Sequence, residues 1–376
     1  MRKLTLGLAA SATLIASSSM SVHAAEILVG VAAELTGLNA NVGTQTARGI
    51  EVGVEWLNAN HDMNGNTIRL MIEDNATDKA QSMTLLNKFA LRDNVHVVVG
   101  TSSSILALSI APRAEELQVP MITSAFAPAV VEGRKWVFKA SDTPARMFQS
   151  IANYTADVLK PETCVRVYAR DNEAYVEQSN VWARIVKEKG VEIVDEPSIL
   201  LSDTDFTAIA TRIVDLDPDC LHLAMTPETS ANFVIQTKSA GLDPDTLIIG
   251  GTTMATGFFL DAAGEAAEGT YSLADYSPGG INELGKTFEA AYEAKFGEKP
   301  DNFSAVGFAE ALVIGQAIKA AGDNPTRDSI REAMAGLKDV ETIIGNGTLS
   351  MVDQMAQYQM NVLTVEDGQL VRAPGQ

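Results

Sequence analysis

A chain of 376 residues is long enough for two domains, each with its own core. Its composition is that of an ordinary globular protein, 46% apolar and 6% aromatic, and its formal charge of −20 argues against nucleic acid or an anionic membrane as partner. No basic run occurs in it.

Met1-Arg2-Lys3 is a charged start, Leu4 to Ile15 an apolar run, and Val22-His23-Ala24 a small-residue end. These are the parts of a secretory signal peptide, read over residues 1–24, with cleavage after Ala25 as the alternative. No Cys lies near the cut, so no lipid anchor is expected. No later stretch reaches about 18 consecutive apolar residues, so the mature chain is expected to be soluble in the periplasm.

From Glu26 strands and helices alternate. Ile27 to Val31 reads as a strand, and Glu34 to Asn41 as a polar loop. Ala47, Ile50, Val54 and Leu57 mark one face of a helix. Asn64-Gly65-Asn66 turns into the strand Ile68 to Glu73, and Lys79 to Arg92 is a second helix. Val95 to Val99 is then a β-branched run, the pattern of a buried parallel strand. Gly100 ends it, and Ser102, Ser103 and Ser104 stand where the next helix begins. Helix N-termini leave N–H groups unpaired and favour negative charge, so this turn reads as a cradle for a small anion such as a carboxylate. The simpler alternative is helix capping. Val119 to Thr123 is a further strand, delivering Ser124, Ala125 and Phe126 to the same sheet edge, where open α/β sheets bind ligands. The βα rhythm implies a parallel sheet with helices on both faces.

Ala140 to Pro144 breaks the rhythm, which then restarts. Helices at 145–159, 173–189, 205–216 and 229–240 precede strands at 164–169, 191–194, 220–224 and 246–250. This is a second α/β lobe. Gly269 to Ser277 is another strand and break, followed by helices at 283–296, 304–321 and 325–335. The tail is β-like and ends in a hairpin over 358–372. The mature chain has two cysteines, Cys164 and Cys220, at the starts of strands. If the second lobe has the doubly wound order 2-1-3, these strands are neighbours, about 4.8 Å apart and within disulfide reach.

Several segments together resemble the periplasmic substrate-binding proteins of the Leu/Ile/Val-binding type, which serve ABC importers. They are Gly30 to Gly37, Ile72 to Asp78, Gly100 to Ser104, Ile122 to Pro128, Asp171 to Tyr175, Pro227-Glu228 and Gly250-Gly251. Val176 departs from the family's usual glycine. The resemblance implies the type I fold: two Rossmann-like doubly wound parallel-sheet lobes joined by a three-crossing hinge, with ligand in the cleft. It puts the crossings near Ser141-Asp142, Asp275-Tyr276 and Ser350. The lobes are then 25–142 with 276–349, and 143–275 with 350–376. It further implies permease subunits as partners, no cofactor and a monomer.

An enzyme is the competing class. No G-x-G-x-x-G follows a strand, no G-x-S-x-G elbow occurs, and His61, His96 and His222 form no catalytic or zinc spacing. The chain is therefore read as a non-enzyme. A sensory domain feeding a separate membrane partner stays open. The expected ligand set is Asn41, Val42, Ser102, Ser103, Ser104, Ser124, Ala125, Phe126, Asp142, Arg170, Tyr175, Met225 and Thr252. Relatives that bind α-amino acids hold the ammonium with a Gly-Pro-Glu turn, where this chain has Gly250-Gly251-Thr252. A small carboxylate without an α-ammonium, such as an aromatic or keto acid, is thus the first ligand expected. A neutral amide and a hydrophobic amino acid are the alternatives, with Asp142, Asp171 or Glu228 as substitute counter-ion.

Overall fold

The computed structural model describes residues 25–375; the signal segment read at 1–24 lies outside the described residues. In chain order come β1 (Glu26–Ala33), α1 (Ala40–Asn60), β2 (Thr67–Asp74), α2 (Lys79–Asn87), β3 (Val97–Val99), α3 (Ser104–Glu116), β4 (Met121–Thr123) and β5 (Val137–Lys139). The strands pair in parallel in the order β2-β1-β3-β4-β5. β3, β4 and β5 are wholly buried, as expected for strands covered by helices on both faces.

The chain next crosses into a second sheet. It contributes α4 (Pro144–Tyr154), β6 (Thr163–Ala169), α5 (Glu173–Glu188), β7 (Glu192–Asp195), β8 (Ser198–Ile199), α6 (Thr207–Leu216), β9 (Cys220–Ala224), α7 (Pro227–Ser239), β10 (Leu247–Gly250), α8 (Gly257–Ala263) and β11 (Tyr271–Ala274). It then returns with α9 (Glu283–Phe296), α10 (Asn302–Ala320), α11 (Arg327–Ala335), β12 (Val340–Glu341), β13 (Thr348–Val352) and β14 (Met355–Gln357). β15 (Asn361–Glu366) and β16 (Gln369–Arg372) go back to the second sheet. The completed orders are β12-β13-β14-β5-β4-β3-β1-β2 and β16-β15-β11-β10-β9-β6-β7, with β8 beside β6. Two α/β lobes of the type I periplasmic binding protein architecture result.

The third crossing differs from the sequence reading. Asp353 and Gln354, at φ of 48° and 60°, form the two-residue turn of a tight hairpin between β13 and β14. Met355 pairs with Lys139 of β5, so Ser350 sits inside the first sheet. The chain changes lobes between Gln357 and Asn361. One buried carboxylate ties the second and third crossings together. Asp275 accepts a hydrogen bond from the Tyr358 hydroxyl and one from Asn302 Nδ2 at 2.8 Å. Asn302 Oδ1 accepts from the Asp275 and Tyr276 N–H groups at 2.7 and 3.2 Å.

α10 is long and apolar enough to cross a membrane, yet most of it is buried. It is the first lobe's core helix, packed along α1.

Cys164 and Cys220 are joined by a disulfide. They lie directly opposite on β6 and β9, with Cα atoms 4.5 Å apart and a sequence separation of 56. Both are fully buried. Replacing both by alanine should cost about 4 kcal/mol through the freed chain entropy of the unfolded state. The urea midpoint of the double variant against that of the wild type checks this.

Candidate functional site

In each sheet the strand order reverses beside one strand, β1 in the first lobe and β6 in the second. Loops at the carboxyl ends of such strands diverge and leave a crevice. The two crevices face each other and enclose a cavity of about 160 Å3. From the first lobe come Leu38 and Asn39 after β1, Val42 on α1, Thr77 after β2, Ser102 to Ile105 around the start of α3, and Ser124 and Phe126 after β4. From the second come Asn172, Ala174 and Tyr175 after β6, Leu201 after β8, Thr226 after β9 and Thr253 after β10. Phe303, at the start of α10, closes the set.

Local chemistry holds these loops. Asp74 accepts from the Leu35 and Thr36 N–H groups at 3.0 and 3.1 Å, stitching the loops after β1 and β2 together. Asp171 accepts from the Leu201 N–H at 3.1 Å, which brings Leu201 to the cavity. Ser104 Oγ accepts from the Phe126 and Ala127 N–H groups at 3.1 and 3.2 Å. Lys139 is buried behind Phe126. Its Nζ donates to the Phe126 carbonyl at 2.6 Å and the Asp142 carbonyl at 3.3 Å. Burial pushes the ammonium down to about 8.

The start of α3 does hold a carboxylate, and it belongs to the chain itself. Ser103 N–H donates to Glu34 Oε1 at 2.9 Å and Ser102 N–H to Glu34 Oε2 at 3.2 Å. Asn39 Nδ2 donates to Oε1 at 3.4 Å. Glu34 is 1% exposed, and burial raises its pKa against the pull of these donors. Glu310 of α10 is fully buried with neither carboxyl oxygen hydrogen-bonded among the described residues. Burial, aided by the charge of Glu34, pushes it up to about 8. Donors oppose the effect of burial at Glu34, and none opposes it at Glu310.

Of the residues expected from sequence, Val42, Ser102, Ser103, Ser104, Ser124, Phe126 and Tyr175 line the cavity. The other six stand elsewhere. Ala125 is buried, its N–H bonded to Thr123 Oγ1 at 3.2 Å. Asp142 is buried at the first crossing, paired with Arg146 at 2.9 Å. Arg170 turns away to the Ser198 carbonyl at 3.1 Å. Met225 is fully buried in the second lobe's core with Phe233 and Met254, away from the cavity. Thr252 is buried and its neighbour Thr253 takes the lining position. Asn41 spans the lobes, its Nδ2 3.5 Å from Glu228 Oε1. Neither Asp171 nor Glu228 lines the cavity. Among the lining residues there is no carboxylate, ammonium, guanidinium or imidazole.

Two lobes hinged around a polar and aromatic cavity are the architecture of a ligand-capturing protein. Residues 26–369 match the periplasmic binding protein family, and the chain belongs to it. A Leu/Ile/Val-binding protein homolog of Brucella melitensis is 24% identical over 350 residues, covering 92% of this chain and 93% of its own. Among solved structures, the branched-chain amino acid transporter substrate-binding protein LivJ of Streptococcus pneumoniae, in complex with isoleucine, superposes with a TM-score of 0.83 at 23% identity. The match covers 92% of this chain and 97% of that one. A solute-binding protein of an ABC transporter from Rhodopseudomonas palustris, in complex with 3,4-dihydroxybenzoic acid, also reaches 0.83, at 24% identity, over 93% and 96% of the two chains.

Proposed function

We propose that this chain is the extracytoplasmic solute-binding subunit of an ABC importer. It acts as a monomer in the periplasm after loss of residues 1–24, and hands its ligand to membrane permease subunits. Residues 25–142 with 276–357 form one working lobe, and 143–275 with 358–375 the other; they close around the ligand at the three crossings. The observation that carries this reading is the cavity lined from both lobes at the carboxyl ends of both sheets.

The ligand is a small molecule with an apolar body and an uncharged polar head, such as an amide. Phe126, Phe303, Tyr175, Val42 and Leu201 supply apolar walls, while Ser103, Ser124, Asn172 and Thr226 supply hydroxyls and amides that pair with a neutral head. An α-ammonium buried there would meet no carboxylate among the lining residues, at a cost of several kcal/mol. The carboxylate reading, an aromatic or keto acid, is second. The bound dihydroxybenzoic acid of the Rhodopseudomonas relative favours it. Native mass spectrometry of the purified protein should reveal a retained small molecule. Calorimetry with benzamide, benzoate and leucine then ranks the classes. Benzamide should bind and leucine should be silent; tight leucine binding with benzamide silent would overturn the ligand class.

A further inference from the structure

Glu34 has no place in the expected ligand set, yet all three of its donors, Ser102, Ser103 and Asn39, belong to residues that line the cavity. We infer that Glu34 sets the charge preference of the cleft: its carboxylate occupies the donors that would otherwise hold a ligand's carboxylate, so an uncharged head is accepted and an anion is rejected. The inference rests on the solute-binding reading and names the residue that fixes its ligand class.

The side chain is held where it is. α1 passes so close that a Cβ on Gly43 would stand 2.3 Å from the Glu34 carbonyl oxygen and 2.6 Å from its Cβ. Glu34 therefore has no room to withdraw toward α1. Glu310 stands behind it, fully buried and without a hydrogen-bond partner among the described residues. Among the described residues, no cation is one of the groups that shift either carboxyl. Lys139, the buried cation of this lobe, donates to the Phe126 and Asp142 carbonyls, and its charge faces Asp142 and Glu177. A ligand anion entering the cavity thus meets one carboxylate already seated on the N–H groups and a second acidic side chain beyond it. A purely local role, closing the loop after β1, predicts only a loss of stability when Glu34 is removed. The charge-selecting role predicts a gain of binding as well.

The test compares wild type, Glu34→Ala and Glu34→Gln by calorimetry with benzoate and with benzamide, after a thermal melt has shown which variants fold. In Glu34→Ala the freed N–H groups should tighten benzoate binding about tenfold or more, the worth of one charge-assisted hydrogen bond, while benzamide changes less. Benzoate binding that is equal or weaker in the variant, or absent from both proteins, overturns the assignment. If Glu34→Ala does not fold, Glu34→Gln decides. It keeps the shape and one acceptor but removes the charge, so benzoate should still gain, and an unchanged benzoate affinity overturns the assignment. The two readings fail separately. A wild type that carries no small molecule and binds neither probe, beside an alanine variant that gains benzoate, removes the transport reading and leaves Glu34 as the selector. A wild type that binds benzamide, beside variants with no benzoate gain, does the reverse.

Discussion

Relative to Glu310→Gln, the wild-type protein should lose stability as the pH rises from about 4.5 to about 8. Glu310 is fully buried, and burial lifts its carboxyl from 4.5 to about 8. Below the lower value it is protonated in both folded and unfolded chains, and its contribution is fully present. Above that value the unfolded chain ionises while the folded chain keeps its proton. Folding then loses ground until the pH passes the folded value. The swing is about 4 kcal/mol. Glu34 and Tyr358 are the titratable groups that feel Glu310. Glutamine keeps the volume without ionising, so the variant should match the wild type near pH 4.5 and exceed it near pH 8. Urea titrations of both proteins at a series of pH values check this; parallel curves would count against a buried proton on Glu310.

Most of the fold is written in local pattern. Val95 to Gly100 reads as a buried strand because three valines in a row suit a sheet covered on both faces. The alternation of helix and strand then fixes a parallel sheet, and the order 2-1-3 puts Cys164 beside Cys220. The third crossing was not legible in the same way. Thr348 to Gln357 is β-like in either lobe, and only the tight turn at Asp353-Gln354 and the pairing of Met355 with Lys139 choose the first. The site divides along the same line. Ser102, Ser103, Ser104 and Phe126 reach the cavity because they follow strands at the switch point. Met225 also follows a strand, but its side chain turns into the core, a choice of face that one residue past a strand end does not reveal. Phe303 carried no signal, since it arrives from a helix that returns from far along the chain. Glu34 stood in plain view as part of a polar loop. That its carboxylate would seat on N–H groups 68 and 69 residues away is a property of the assembled sheet, and no stretch of sequence around Glu34 encodes it.

Gly307→Ala should destabilise the protein by about 3 kcal/mol, and Gly49→Ala by a similar amount, through overpacking against backbone that cannot yield. α1 and α10 touch through glycines on both sides. A Cβ on Gly307 would stand 2.1 Å from the Thr46 carbonyl oxygen, and one on Gly49 would stand 1.8 Å from that of Ser304. Neither neighbour is a flexible side-chain end, so the helices must move apart. Because that one movement relieves both clashes, the double variant should cost less than the sum of the singles. Gly257, where an added Cβ meets nothing within 4 Å, is the control: alanine there should leave stability unchanged or slightly raised. The separation also reaches the cleft. Thr46 Oγ1 lies 3.4 Å from the Ser102 hydroxyl, and α10 begins at Asn302, beside the lining residue Phe303. Gly307→Ala should therefore weaken ligand binding as well as the fold, whereas Gly257→Ala should weaken neither. Chemical denaturation of the two singles, the double and the control, with calorimetry on each folded variant, tests both parts. Additive losses, or a Gly307→Ala protein as stable as wild type, would show that the two helices are not locked through these glycines.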